Sequence, residues 1–121
     1  MHITFIYNGA ENIGIEYLSS FLKSKGHKVS LLFDPAIFSG DYIVNNKLLS
    51  SIFSIDKKIL EKIGELNPDL IGFSSFTGNY RWCLSLAQKI KEIYSVPIVF
   101  GGVHTTAVPE VVLTNNFIDY A

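Results

Sequence analysis

Four short apolar runs, each followed by a stretch with helical spacing, constrain this chain more than any other feature. The runs cover residues 3–7, 29–33, 69–75 and 96–100, and isoleucine, valine, leucine and phenylalanine dominate them. Apolar runs of that length suit strands buried on both faces. Between the runs, apolar residues recur every three or four positions. Ile13, Tyr17, Leu18, Phe21 and Leu22 form the stripe of a first predicted helix, and Ile55, Ile59, Leu60, Ile63 and Leu66 that of a second. A third carries Cys83, Leu86, Ala87, Ile90, Ile93 and Tyr94 inward. The punctuation agrees: Gly26 is placed to stop the first helix, Ser54 to cap the second, and Asn67-Pro68 to end it.

Strands separated by helix-length crossovers imply a parallel sheet with right-handed connections. A short helix starting at Pro109 leads to residues 117–121, read as the start of a fifth strand. The expected architecture is therefore α/β, a Rossmann-like, five-stranded parallel sheet of flavodoxin-like order 2-1-3-4-5. One domain fills residues 1–121, and it is expected to be truncated after strand five. The missing fifth helix would share a sheet face with the first, so part of that face should lack cover. Residues 36–53 show no clean period and are read as a long loop or short helix on the ligand side.

Composition narrows the function. Charged residues make up 17% and apolar residues 48% of the 121 positions; the charged share is below the roughly 25% usual for soluble domains. Self-association through the uncovered face is the expected consequence. The net charge of −1, with no cluster of lysine and arginine, argues against a nucleic-acid or anionic-lipid partner. No run is long enough to span a bilayer and no signal-like stretch is present, so a cytoplasmic location is expected. The single cysteine, Cys83, rules out a disulfide or a cysteine-built metal cluster within these residues.

Open α/β sheets bind ligands beyond the carboxyl ends of their strands. Three openings would share that rim here. After strand one come Asn8, Gly9 and Gly14; after strand three, Ser74, Ser75, Phe76 and Thr77; after strand four, Gly101, Gly102, Val103, His104 and Thr105. Paired glycines let a ligand or a neighbouring backbone approach closely, and a plain tight turn is the competing explanation. Glu11 is the only charged residue in these loops, which leaves acid–base chemistry little to work with. Neither a P-loop nor a Gly-x-Gly-x-x-Gly fingerprint is present. Asn8 stands where a phosphoacceptor domain would want aspartate. Ser74, His104 and Asp34 could be imagined as a triad, but no nucleophile elbow frames the serine. His27 reads as a turn residue, His2 as exposed, and Tyr80 and Trp82 as packing residues. A polar contact or helix start is favoured over metal ligation for His104.

Two segments carry a family resemblance. Asn67-Pro68-Asp69-Leu70-Ile71-Gly72-Phe73-Ser74-Ser75-Phe76 and the run from Val96-Pro97-Ile98 through Gly101-Gly102-Val103-His104 to Pro109-Glu110 resemble the N-terminal cobalamin-binding domain of radical S-adenosylmethionine enzymes. The resemblance covers nearly the whole chain and is loosest over residues 36–53. It implies a corrin above the strand ends, with its nucleotide tail between strands and helices. Ser74 and Phe76 match a Ser-x-Leu tail-contact motif, with phenylalanine in place of leucine, and Gly101 and Gly102 match the glycines lining the tail. The Asp-x-His-x-x-Gly motif that supplies a lower cobalt ligand in some such domains is absent after strand one. A base-off cobalamin without a histidine ligand is implied. Such enzymes also carry S-adenosylmethionine and a 4Fe-4S cluster held by Cys-x-x-x-Cys-x-x-Cys, a motif this chain lacks. Methyl transfer or ring rearrangement would then reside in a radical S-adenosylmethionine domain of the parent, with this part binding and orienting. The rival reading is a flavodoxin-like nucleotide- or flavin-binding domain or sensor using the same rim.

Overall fold

The computed structural model describes residues 1–9, 12–35 and 55–121. Within them β1 (His2–Asn8), α1 (Ile13–Ser24), β2 (Lys28–Asp34), α2 (Ile55–Leu66), β3 (Leu70–Ser74), α3 (Tyr80–Ile93), β4 (Ile98–Gly101), α4 (Val103–Ala107) and α5 (Pro109–Leu113) follow in order. The strands form one parallel sheet, order β2-β1-β3-β4. That is the expected order as far as four strands go. The fifth strand is not formed: Tyr120 makes a single parallel bridge to Val99. The Tyr120 N–H reaches the Ile98 carbonyl and the Tyr120 carbonyl accepts the Phe100 N–H, so the chain meets β4 at the edge where the start of a fifth strand was expected. Residues 36–53 and Ser54, with their expected loop and cap, lie outside the described residues.

Alternation along β1 sorts its side chains between two faces. Ile6 joins Ile71, Phe73, Ile98 and Phe100 in one core, closed by Ile59 and Ile63 of α2 and by Cys83, Leu86, Ala87 and Ile90 of α3. Ile3, Phe5 and Tyr7 turn the other way and meet Ile15 of α1. The stripes expected on α2 and α3 face this core except at their last turns: Leu66 is half-buried outside it, and Ile93, expected inward, is exposed just before the chain leaves the helix at Tyr94.

Helix α1 departs further from expectation. Ile13, Tyr17 and Phe21 are exposed, and Ile15 and Ser19 are buried instead. The apolar arc of α1 runs more than half-way round the helix, so it offers two ways to sit, and the helix rests on one border of the arc. Its C-terminal end matches the sequence signal at Gly26, and its start is fixed by a cap. Asn12 caps the start by accepting the Ile15 N–H at 3.1 Å. At the other end Gly26, at φ 84°, lets the Gly26 and His27 N–H groups reach the Lys23 and Leu22 carbonyls. His2, expected to be exposed, is half-buried, with its ring bonded to the Leu66 carbonyl and the Ser30 hydroxyl. Among the described residues no helix is long and apolar enough to cross a membrane.

Candidate functional site

Register brings the expected openings together. Asn8 pairs with Asp34, and Ser74 with Gly101, so β1, β3 and β4 end on a common rim. Below that rim a groove of about 480 Å³ descends along the face that α1 covers only in part. Gly14, Ile15 and Leu18 of α1 form one wall; Phe5, Gly72 and Val99 form the floor; Ser74, Gly101, Gly102 and Val103 stand at the mouth. The floor residues are cross-strand neighbours, Phe5 opposite Gly72 and Gly72 opposite Val99. With no side chain at Gly101 the mouth stays clear, and with none at Gly72 the Phe5 ring can lie flat against the sheet as part of the floor.

The two rim glycines differ. A Cβ on Gly101 would find nothing nearer than the Phe73 carbonyl at 3.9 Å, so that position is open. A Cβ on Gly102 would come within 2.5 Å of the Ser75 carbonyl oxygen and 2.8 Å of its nitrogen, and the residue has φ 94°. Close approach of the chain's own backbone therefore requires glycine at 102. The ligand-side gap is at 101, whereas a Cβ on Gly72 would strike the Phe5 ring at 2.7 Å.

Hydrogen bonds hold the rim loops in place. Buried Ser75 binds the Gly101 carbonyl at 3.1 Å and the Thr105 hydroxyl at 2.9 Å, joining the loops after β3 and β4. Asn79 does the same for β1 and β3. Its oxygen accepts the Phe76 N–H at 2.8 Å, while its amide nitrogen donates to the Asn8 side chain and the Ser74 carbonyl. Asn12 donates to the Ser74 hydroxyl at 2.9 Å. Thus Thr105 acts beneath the rim, and Asn8 meets Asn79 beside the groove.

His104 is turned away from that network. Its ring lies 4.1 Å from the Tyr80 ring, centroid to centroid, and its Nδ1 is 3.3 Å from the Thr77 hydroxyl. Thr77 and His104 thus pair with each other outside the groove lining, and the serine triad finds no support, since the Ser74 hydroxyl is bonded to Asn12. Gly9, at φ 95°, donates its N–H to the Asp34 carbonyl at the end of β2, one bond beyond the Asn8–Asp34 pair. Phe76 is half exposed at the mouth, and a Cβ on Gly78 would strike its ring at 2.6 Å. Cys83 lies in the opposite core, where burial pushes its thiol up to about 12, so it packs as a small apolar group. Tyr80 and Trp82 pack against that core, as expected.

Sequence reasoning missed Asn12, Phe5, Ile15, Leu18, Gly72 and Val99. An asparagine three residues before Ile15 was a readable cap signal. The others needed the strand register, which spacing alone does not reveal.

The donor set suits one kind of ligand: apolar walls for a flat ring, glycine floors for close approach, and hydroxyl and amide groups at the mouth. Among the described residues no cluster of histidine, cysteine, aspartate and glutamate could hold a metal ion, so a metal-bearing ligand would be held here through its organic periphery. No curated protein and no solved structure matches the chain. A family model does: the B12 binding domain, over residues 4–121. Covering almost every residue and meeting a groove at the strand ends, that match shows that the chain belongs to the B12-binding domain family, whose ligand is cobalamin.

Proposed function

We propose that the chain is the cobalamin-binding domain of a radical S-adenosylmethionine enzyme, holding the corrin across the rim with the nucleotide tail in the groove. One observation carries the reading: the groove opens at the strand ends beside Gly101, where a Cβ would find nothing nearer than 3.9 Å, and runs down the sheet over the Phe5 ring, for which Gly72 leaves room. Ser74, Gly101, Gly102 and Val103 would line the tail at the mouth, and Ile15 and Leu18 would exclude water below. Asn8, Gly9 and Gly14 belong to the rim segment nearest the corrin. Bound cobalamin supplies a cobalt centre able to carry and release an alkyl group; this chain's own residues position it.

A tail in the groove draws its base away from the cobalt. No histidine occurs between Asn8 and Gly14 to replace it, and His104 is engaged by Tyr80 and Thr77. Those three points support a base-off, histidine-off state. The radical S-adenosylmethionine parent rests on the resemblance of residues 67–76 and 96–110; the 4Fe-4S cluster and S-adenosylmethionine would be held by that parent's own domain. Family membership sets the flavin or nucleotide reading aside. The exposed flank of α1, with Ile13, Tyr17 and Phe21, supports self-association of the chain.

Titration with hydroxocobalamin tests the proposal. A base-off absorption spectrum is expected, unchanged in His104→Ala. Lack of binding, a base-on spectrum, or a nitrogen superhyperfine pattern lost in His104→Ala on paramagnetic resonance of the reduced complex would overturn it.

A further inference from the structure

Asn12 has no choice about which way its amide faces. The Ile15 N–H is a fixed donor, and it ends on the Asn12 side-chain oxygen at 3.1 Å. An amide so held must turn its nitrogen the other way, which is where Ser74 lies, 2.9 Å off. That nitrogen can only donate, so the Ser74 oxygen accepts. The Ser74 proton is then committed elsewhere. Among the described residues no group accepts it, and Ser74 lines the groove mouth.

The same logic runs through Asn79, whose oxygen is fixed by the Phe76 N–H and whose nitrogen therefore donates toward the Ser74 carbonyl. Donors thus reach both oxygens of Ser74 from the protein side, the carbonyl and the hydroxyl. A hydroxyl is ordinarily free to donate or accept as its neighbour requires. Here Asn12 fills one of the oxygen's two lone pairs and cannot take the proton, which is left to be given to the groove.

We infer that Asn12 is a positioning residue that sets the polarity of Ser74, so that the groove mouth presents an O–H donor and selects a ligand with an acceptor atom there. The inference rests on the groove being the site of the cobalamin tail, and it assigns to the helix cap a part in ligand selection. The acceptor belongs to the nucleotide tail, because the corrin lies above the rim. Asn12 need not touch the ligand at all.

Asn12→Asp separates this role from a structural one. Aspartate caps a helix as well as asparagine does, so the melting temperature should hold. Its second oxygen, however, accepts where the amide donated, and it draws the Ser74 proton away from the groove. Cobalamin affinity should fall about tenfold, or about 1.4 kcal/mol. Cobinamide, which lacks the tail, should bind the variant as it binds the parent. Asn12→Ser keeps a capping oxygen but does not reach Ser74, leaving that hydroxyl free to donate, so it should retain most of the affinity. In a Ser74→Ala background Asn12→Asp should cost nothing more, since the proton it captures is gone.

Unchanged cobalamin binding by Asn12→Asp would overturn the inference. So would an equal loss in the Ser74→Ala background, which would mean that the new charge simply repels the tail. A loss in Asn12→Ser as large as in Asn12→Asp would also overturn it, by reducing Asn12 to a rim brace. The underlying reading fails differently: the parent chain itself would bind cobalamin no more tightly than cobinamide.

Discussion

On one face of the sheet, α2 and α3 press Ile59, Ile63, Leu86 and Ile90 against Ile6, Ile71, Ile98 and Phe100, and almost none of that surface reaches water. On the other, among the described residues, α1 packs Ile15 against Ile3, Phe5 and Tyr7 of β1, and Gly72, Val99 and Gly101 line an open groove. Each face is built from residues of the same strands, alternating along the chain. What differs is the size of the side chains on β3 and β4. Isoleucine and phenylalanine fill the closed face, whereas on the open face Gly72 makes room for the Phe5 ring and Gly101 leaves the groove mouth clear. The closed face therefore carries the stability, and the open face trades part of its core for ligand.

Breaking the closed face should have the largest effect. Leu86→Ala removes a fully buried side chain from a core that cannot collapse around the gap, at a cost of about 2–5 kcal/mol. Cobalamin affinity of the folded fraction should be unchanged. Denaturant unfolding with and without cobalamin checks both halves. A selective loss of binding with stability intact would erase the division between the faces.

The two adjacent glycines sharpen the comparison within a single turn. Gly102→Val drives a side chain into the Ser75 backbone at a positive φ, so about 2–3 kcal/mol of stability should be lost. Gly102 lines the groove mouth as Gly101 does, but it is the Ser75 backbone that requires glycine there. Gly101→Val meets open space and sits in β4, where valine is at home. Its stability should stay within about 0.5 kcal/mol of the parent, while a side chain in the groove mouth cuts cobalamin affinity by about tenfold. Equal behaviour of the two variants in melting and titration would contradict the assignment of the open gap to Gly101.

Much of this was legible beforehand, for identifiable reasons. Strands β1 to β4 announced themselves because buried strands are written as unbroken apolar runs. The rim loops after β1, β3 and β4 followed from the parallel order. Helix α1 was misread because its apolar arc is broad: Ile13, Tyr17 and Phe21 look as much like core as Ile15 does. Periodicity locates an arc and leaves its contact border undefined. The groove floor stayed hidden for a related reason. Phe5, Gly72 and Val99 are adjacent only through register, and they lie 67 and 27 positions apart in sequence. Asn12 needed a third kind of information, the hydrogen bond that fixes its amide.

The smallest effect is expected where the two faces meet, at the outer edge of β4. There Asp119 accepts the Ile98 N–H at 2.6 Å and pairs with Lys91 at 2.8 Å. Burial alone would raise its carboxyl, but the hydrogen bonds from Lys91 and the Ile98 backbone outweigh that and hold it below 3.8. The sign of the pH dependence follows. A carboxyl that is more acidic when folded stabilises the fold fully above its unfolded value. That contribution fades as pH drops below about 4 and is gone once the pH has fallen through the lower folded value. The side chain is 37% exposed, so solvent screening keeps the contribution under about 1 kcal/mol. Asp119→Asn retains an oxygen for the Ile98 N–H and gives up the ion pair with Lys91. Near neutral pH it should be slightly less stable than the parent, and the gap should close as the solution is acidified through the carboxylate range. Denaturant midpoints of both proteins at about pH 7 and about pH 3 test this. A gap that widens toward acid would show that the carboxylate of Asp119 does not latch this edge.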